Sequence, residues 1–473
     1  MYRKQTSKQE TCFIPGSLSD FIPDDHVLKR VNAVLELRWL GEEVKWLYAE
    51  ANGRPCIDPE RAVRLMLAGF FHGVVHDRKL MREAQVNIAY RWFAGYELDE
   101  ELPDHSSLTR IRQRWGEERF RQIFERSVAQ CAQAGLVTGE MIHVDASLIR
   151  ADVSWRSLVR VHVNRVLTEN EAVPEDSAPE GKLKKVSTTD PEASMATANH
   201  RQRLEPSYKQ HTAVDDRAGV IVDVRVTTGE VNEGQQLLGQ LERVAEQTGR
   251  LPEVVTADAS YASSGNYAEL EALGVEAVIP PQPERAPHRG VPLSRFAYDP
   301  EHDVVRCPQG KQMQRKSRGQ DGWFYRACPA DCQACPLRER CVPPSARARS
   351  VLIKDGYCAL LRARRCKQRG WPADMLQAYQ RHRWRVEGVH GESKCQHGLR
   401  RAVRRGLSNI RIQAYLTAAV VNLKRLAMHA ARLSWAFSRS YLGRHLHQTA
   451  SDAVIGIILV TSFQCWHFFA CGY

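Results

Sequence analysis

Two adjacent stretches in the middle of the chain constrain its fold more than any other feature. Residues 220–227 alternate four valines with other residues at a strict period of two, which is the pattern of a β-strand. The run 208–215 predicts a second strand, and Asp-Arg-Ala-Gly at 216–219 is a hairpin turn signal between them. The chain is therefore expected to contain an antiparallel hairpin on which a sheet is built.

Alternating strand and helix patterns surround this hairpin. A short apolar strand at 141–145 precedes it, and a helix at 234–248 follows it. A buried strand at 253–258, a helix at 264–273 and a strand at 275–279 come next. This order predicts an α/β layer with a mixed sheet.

The remaining segments have different compositions. Residues 1–135 predict helices, with apolar spacing at 59–76 and 80–93 and a further helix capped by Ser106 or Ser107. Residues 168–207 are polar and predict a loop, and residues 282–350 predict an inserted β subdomain. Helices are expected again from about 373 to about 432.

Charge and cysteine usage limit the class of partner and the compartment. The formal net charge is +12, and residues 361–420 hold fourteen Lys and Arg against three Asp and Glu, a net charge of +11. This favours a polyanionic partner, and Arg suits forked contacts to phosphate.

Thirteen cysteines and a charged N-terminus without a secretory signal favour a reducing cytoplasm. The apolar tail at 453–473 is short and is interrupted by Thr461, Ser462, Gln464 and His467, so a membrane-spanning helix is not favoured.

Two acids end hydrophobic strands of the α/β layer, Asp145 and Asp258. Either acid alone could cap the next helix or begin a turn. Two together are more informative, because strand ends are where an open sheet presents polar groups to a ligand. Asp152, seven residues after Asp145, is an alternative if the strand register differs.

A third acid is chosen by helix geometry. At 100° per residue from Glu387, Arg383 lies at about −40°, Lys394 at about −20° and Glu392 at about 140°. Arg383, Glu387 and Lys394 therefore share one stripe with His390, whereas Glu392 points away. An ordinary surface salt bridge would explain Arg383 and Glu387, but their strongly cationic surroundings suit a site that binds metal and phosphate together.

Three carboxylates beside basic residues fit phosphodiester chemistry. Carboxylate oxygens prefer Mg²⁺ or Mn²⁺, and two such ions can clamp the attacking and leaving oxygens of an in-line displacement. Arg383 and Lys394 are expected to bind DNA phosphate, and Asp145, Asp258 and Glu387 to hold the metal.

A cysteine cluster lies in the expected insertion. The two-residue gap between Cys332 and Cys335 is common in zinc sites, and Cys307, Cys328 and Cys341 are further candidate ligands. A structural Zn²⁺ and a set of small buried thiols remain alternative interpretations.

Several motifs in order give a specific resemblance that covers roughly residues 15–430. The matching segments are Tyr90-Arg91-Trp92-Phe93, Pro103 to Leu108 with Arg110, Val144-Asp145-Ala146-Ser147, Thr188 to Ala193, Tyr208 to His211 with Asp215, Thr256 to Tyr261, and the Arg383/Glu387/Lys394 helix. Together they resemble bacterial insertion-sequence transposases of the DDE type. The signature helix of those enzymes begins with tyrosine, where this chain has Gln380 with Tyr379 one place off.

The resemblance implies a ribonuclease-H-like mixed sheet flanked by helices, preceded by an all-α domain and interrupted by a small Cys-containing β insertion. The expected segments are 1–135, helical and DNA-binding; 136–281, first part of the core; 282–350, the insertion; 351–432, second part of the core; and 433–473, an unassigned apolar tail. Arg110, Arg112 and Arg114 are candidate DNA contacts. Trp323 lies where some relatives stack a flipped base, but no local motif marks it, and core packing is the favoured interpretation.

The resemblance also implies a function. Such a transposase cuts double-stranded DNA at the terminal inverted repeats of its element with two Mg²⁺ or Mn²⁺ ions, and the freed 3′-hydroxyl then attacks target DNA. A homodimer in the synaptic complex and a bacterial, nucleoid-associated location are expected, with no membrane partner. A metal-dependent nuclease without strand transfer and an inactive derivative that only binds DNA are the alternatives.

Overall fold

The computed structural model describes residues 16–49, 56–162, 183–197, 203–284 and 290–433. The apolar tail at 453–473 and half of the loop expected at 168–207 lie outside these residues. Within the described ranges, no helix is long and apolar enough to cross a membrane.

Helices fill the N-terminal part of the chain, as its apolar spacing predicted. Asn87 ends one helix and its side chain caps the next by accepting from the amide of Tyr90 at 3.2 Å, so the expected helix at 80–93 is two helices. Asp104, and not Ser106 or Ser107, caps the last one. The helices are α1 (Val27–Asn32), α2 (Trp39–Val44), α3 (Pro59–Phe71), α4 (Asp77–Val86), α5 (Ile88–Ala94) and α6 (His105–Gln133, interrupted at Gly116).

A mixed six-stranded sheet follows, and its central strand is longer than the sequence indicated. The strands of this segment are β1 (Met141–Arg150), β2 (Leu158–His162), β3 (Leu183–Ser187), β4 (Ser194–Ala196), β5 (Glu205–Asp215), β6 (Ile221–Thr228), β7 (Val254–Thr256) and β8 (Glu276–Val278). The sheet order is β4-β5-β1-β7-β8, with β6 also paired to β5, and β2 and β3 form a separate ribbon. β3 and β4 correct the expectation of a loop throughout 168–207.

The predicted hairpin is the antiparallel pair β5–β6. The alternating residues of β6 do not separate into a solvent-exposed face and a buried face. Ile221, Val222 and Val224 are all buried, as is Asp223. Arg243 offsets the burial of Asp223 by donating to both of its carboxylate oxygens at 3.0 Å. The strand is therefore covered on both faces over residues 221–224, whereas Arg225 is exposed.

Two helices link this sheet, α7 (Leu237–Thr248) and α8 (Ser264–Ala272), close to the predicted ranges. β1 runs parallel to β7, and β7 runs parallel to β8, whereas β1 and β5 are antiparallel. The carboxyl ends of β1 and β7 therefore point toward the same edge of the sheet.

The expected insertion has a sheet and a small hydrophobic core of its own. The elements are β9 (Ala297–Asp299), β10 (Val304–Arg306), β11 (Gln312–Gly319), β12 (Gly322–Arg326), α9 (Pro329–Gln333), α10 (Arg338–Cys341) and β13 (Ser350–Lys354). The strands are antiparallel in the order β13-β12-β11-β10-β9, and β13 extends past the expected boundary at 350.

Three helices complete the described chain: α11 (Tyr357–Arg369), α12 (Ala373–Gln396) and α13 (407–433). Helices thus return at Tyr357, earlier than the expected 373. The segment between α12 and α13 is tied to the sheet, because the amide of Ala402 donates to the carbonyl of Arg150 at 2.8 Å. This tie holds the C-terminal end of α12 beside β1.

Candidate active site

The strand register brings Asp145 and Asp258 to equivalent positions. His143 on β1 pairs with Thr256 on β7, and each acid follows two residues after its strand's member of that pair. Residues two apart in extended chain point to the same face, so the Asp145 and Asp258 side chains are expected on one face of the sheet, where β7 ends beside the middle of β1. β1 continues to Arg150, so Asp145, contrary to the sequence-based expectation, does not end its strand. Both acidic side chains are partly exposed.

Asp258 is fixed by the turn that follows β7. Its carboxylate accepts from the amide of Ser260 at 2.8 Å and contacts the Ser260 hydroxyl. That hydroxyl also reaches Glu233 Oε2 at 2.7 Å, and Lys209 Nζ lies 2.9 Å from Glu233 Oε1. The sequence interpretation missed Glu233, since a turn acid has no spacing signal and only the tertiary fold brings it here.

Asp145 is held by helix α12. His390 Nδ1 lies 3.5 Å from Asp145 Oδ2, and His390 Nε2 lies 3.1 Å from the hydroxyl of Thr212, which is the partner of Asp145 across the β1–β5 pair. Burial alone would raise the pKa of Asp145, but the hydrogen bond and charge of His390 outweigh it and hold that pKa below its usual value. Asp145 is therefore held ionised.

Glu387 lies on the exposed side of α12. Its side chain is 64% exposed, and its nearest ion-pair partner is Arg383, whose Nε lies 3.5 Å from Glu387 Oε2. As the side chains stand, the described part of the chain contains no group of three His, Cys, Asp or Glu residues that could hold a metal ion. Asp145 and Asp258 are thus adjacent, whereas Glu387 is not drawn into a tight cluster with them.

The charges of all three carboxylates influence the pKa of one buried histidine, His382 on α12. Burial lowers the pKa of His382, while the charges of Asp145, Asp258 and Glu387 each act in the opposite direction. The ring of His382 is 7% exposed and stacks on Tyr379, with centroids 6.1 Å apart and planes 5° apart. The hydroxyl of Thr256, two residues before Asp258, lies 2.8 Å from His382 Nδ1, a contact that sequence spacing alone could not reveal.

The two expected phosphate-binding residues have different surroundings. Arg383 is 81% exposed and free to reach a ligand. Lys394 is half-buried; burial and the charge of Arg400 lower its pKa, and the charge of Asp145 opposes that shift.

Glu392 and Asp152, the acids considered as alternatives to Glu387 and Asp145, both form ion pairs within the protein. Glu392 is 13% exposed and bonds Lys424 at 2.6 Å and Arg425 at 2.5 Å on α13. Asp152 lies past β1 and pairs with Arg401 at 2.8 Å. Neither shares the register that relates Asp145 to Asp258.

One of the three arginines that were candidates for DNA contact is already paired with an acid. Arg112 is a correction, because its side chain is 2% exposed and its guanidinium donates to both oxygens of Asp77 at 2.8 and 3.0 Å. Arg404 also contacts Asp77, joining the N-terminal helices to the segment after α12. Arg110 and Arg114 are exposed, although Arg114 stacks over the ring of Tyr48.

The cysteines of the insertion divide into two groups. Cys307, Cys332, Cys335 and Cys341 line one cavity of about 320 Å³, between the β10–β11 turn and the two short helices. Cys328 is exposed and does not line this cavity. The nearby Trp323 is partly buried, and Arg315 lies 4.3 Å above its ring, so packing within the insertion accounts for it.

Comparison with known proteins gives matches at both ends of the chain. Residues 16–114 match the family "Transposase domain (DUF772)", and residues 306–427, which include Glu387, match "Transposase DDE domain". Asp145 and Asp258 lie between the matched segments. No match was found among curated proteins.

Similar solved structures are also transposases. The piggyBac transposase synaptic complex with hairpin DNA is 12% identical with a TM-score of 0.30, covering 88% of this chain and 81% of that one. The Mos1 transposase paired-end complex with left transposon end is 12% identical with a TM-score of 0.16, covering 51% of this chain and 65% of that one. The two family matches support the identification of this chain as a DDE-type transposase, with a DUF772 transposase domain at residues 16–114 and a DDE transposase domain at residues 306–427.

Proposed function

We propose that this protein cuts double-stranded DNA at the inverted repeats of its insertion sequence and joins the freed ends to target DNA. The observation that carries the proposal is the shared register of Asp145 and Asp258 at the sheet edge bordered by α12. We further infer that the core is ribonuclease-H-like, which the mixed sheet with helices packed against it supports.

Divalent ions suit the donors at this edge. Asp145 and Asp258 offer partly exposed carboxylates, Glu387 offers a third from α12, and oxygen donors of this kind suit Mg²⁺ or Mn²⁺. Two such ions, when bound, would supply charge to stabilise the attacking and leaving oxygens of phosphoryl transfer. Because Glu387 is exposed and on a helix, its side chain can turn toward the sheet edge by rotation of its own torsions.

The protein's own groups would place the scissile phosphate. Arg383 projects into solvent beside Glu387, and the charge of Asp145 acts on the pKa of Lys394. A phosphate between these cations would face the carboxylate edge, and its charge would be partly offset there. His390 and Ser260 would keep the carboxylates of Asp145 and Asp258 oriented before DNA binds.

DNA would be bound along the exposed basic side chains around α12, with a homodimer bringing two element ends together. The transposases of the similar structures are in complexes with hairpin DNA and with a transposon end. A nuclease without strand transfer and an inactive DNA-binding derivative remain the competing functions.

One experiment separates the three functions. Purified protein is incubated with labelled inverted-repeat ends and a target plasmid, in Mg²⁺ and in EDTA. Mg²⁺-dependent cleavage with joining to the plasmid is the expected result. Cleavage without joining would favour the nuclease, and a gel shift without cleavage would show a DNA-binding derivative.

A further inference from the structure

A series of polar contacts connects Asp258 to an ion pair in a neighbouring turn. The hydroxyl of Ser260 contacts Asp258 Oδ1 and lies 2.7 Å from Glu233 Oε2. The other oxygen of Glu233, Oε1, lies 2.9 Å from the ammonium nitrogen of Lys209 on β5. Direct contacts therefore lead from a proposed metal ligand to a lysine of the sheet.

The ion pair at the far end holds Glu233 in place. The ammonium group of Lys209 also donates to the carbonyl oxygen of Val231 at 2.9 Å. The side chains of Lys209 and Glu233 are only 13% and 22% exposed, so each would lose stability without its partner. The carboxylate of Glu233 is thereby fixed beside Ser260.

The turns that carry Glu233 and Ser260 are also packed together through their backbones. Asn266 on α8 donates to the carbonyl oxygens of Gly234 and Tyr261, both at 2.9 Å. A Cβ atom at Gly234 would lie 3.1 Å from the carbonyl oxygen of Ser260, so the close approach favours glycine there. Because these contacts do not involve the Ser260 hydroxyl, its removal is expected to leave the two turns in place.

Ser260 has one hydroxyl proton and two carboxylates that can accept it. Its backbone amide already donates to Asp258 Oδ1 at 2.8 Å. If the hydroxyl donates to the same oxygen, both lone pairs of Oδ1 are occupied. If the hydroxyl donates to Glu233 instead, one lone pair of Asp258 Oδ1 is left for a cation.

We propose that Glu233 is a positioning residue that raises the affinity of Asp258 for a divalent ion by drawing the Ser260 hydroxyl bond away from it. Lys209 holds Glu233 in position and offsets its charge, so Glu233 accepts this bond without joining the metal ligands. The inference rests on the proposed function, in which Asp258 binds an ion that supports DNA cleavage.

The affinity for Mn²⁺ tests this role without DNA. Electron paramagnetic resonance measures the Mn²⁺ bound by purified protein, and binding at Asp258 is the part lost in Asp258→Asn. In Glu233→Gln the amide oxygen faces Lys209, so the amide nitrogen donates to the Ser260 oxygen and the hydroxyl must donate to Asp258. Mn²⁺ should then bind at least about tenfold more weakly than to wild type. The control is Glu269→Gln, an exposed acid on α8 whose loss should leave the affinity unchanged.

A double-mutant cycle separates positioning from a direct effect of charge. Ser260→Ala removes the hydroxyl and should bind Mn²⁺ at least as tightly as wild type. In that background Glu233→Gln should change the affinity by less than about twofold. Equal weakening by Glu233→Gln in both backgrounds would overturn the inference, because Glu233 would then act directly on the ion. Unchanged affinity in the single variant Glu233→Gln would overturn it as well.

Cleavage of labelled element ends gives a second readout. Excess Mn²⁺ should restore cleavage by Glu233→Gln to within about twofold of wild type, since only its ion affinity is reduced. A defect that excess Mn²⁺ does not correct would contradict the inference. Failure of the proposed function is distinct, because wild-type protein would then bind Mn²⁺ at Asp258 and leave the DNA uncut. Wild-type protein without Mn²⁺ binding at Asp258 would overturn the inference and the proposed metal site together.

Discussion

Asp145 on β1 and Asp258 in the turn after β7 each lie two residues beyond His143 and Thr256, which pair across the two parallel strands. This relationship needs no metal to form, because the β1–β7 register alone produces it. It also explains why His143 and Thr256 are buried directly behind the acids and linked by a hydrogen bond of 2.7 Å. The sheet therefore places both the carboxylates and the polar groups that support them.

Asp145→Asn should abolish DNA cleavage without unfolding the protein. Loss of one carboxylate charge at the site is expected to lower the cleavage rate at least about 100-fold. Asp152→Asn is the matched control, since Asp152 pairs with Arg401 and lies outside the shared register. Cleavage of labelled ends by the two variants measures this. If only Asp152→Asn lost cleavage, the metal-binding carboxylate would be Asp152 and not Asp145.

Glu392→Gln should lower stability. Glu392 is mostly buried and ion-paired with Lys424 and Arg425, so its loss leaves buried cations without a partner. The expected cost is about 3–5 kcal/mol of unfolding free energy, measured by urea denaturation. The exposed Glu387→Gln should change stability by less than about 0.5 kcal/mol. Equal stability of the two variants would show that the Glu392 ion pairs contribute little.

The same carboxylate should make stability depend on acid pH. Burial would raise the pKa of Glu392, but hydrogen bonds from His397, Arg425 and Lys424 outweigh it and lower that pKa well below 4.5. A depressed pKa gives stability that is fully present above the ordinary value and is lost as the pH falls below it. Wild type should therefore lose more stability than Glu392→Gln between pH 5 and pH 3 in thermal melts. Parallel losses in the two proteins would contradict this.

The cysteine cavity predicts a zinc site with a defined ligand set. Cys307, Cys332, Cys335 and Cys341 line the cavity, and the amide of Leu337 donates to Cys335 Sγ at 3.4 Å. Rotation about each Cα–Cβ bond would be needed to bring the sulfurs to one ion, since they do not already form such a group. Elemental analysis of purified protein should find about one zinc per chain.

The exposed Cys328 provides the control for that measurement. Cys328→Ser should leave the zinc content unchanged, because this side chain lies outside the cavity. Cys332→Ser should reduce it strongly. Purified wild-type protein without zinc would leave small buried thiols as the interpretation of the cluster.

Local patterns in the sequence were sufficient to predict the hairpin and most helices, because valine alternation and helical spacing act over a few residues. Helical periodicity also predicted correctly that Glu387 and Glu392 lie on different faces of α12. Arg112 was expected to be available for DNA contact, but it is buried against Asp77. Asp77 lies on another helix, so no local pattern in the sequence shows this pair. Glu233 and His382 joined the site only through strand register and helix packing, which have no local signal.

Cleavage by Glu387→Gln most directly tests the central claim that Asp145, Asp258 and the exposed Glu387 form one metal-dependent site. Asp374→Asn is the control, because Asp374 is an exposed acid in the first turn of the same helix. With labelled element ends and Mg²⁺, Glu387→Gln should bind DNA but cut it at least about 100-fold more slowly than wild type, while Asp374→Asn cuts normally. Wild-type cleavage by Glu387→Gln would contradict the account.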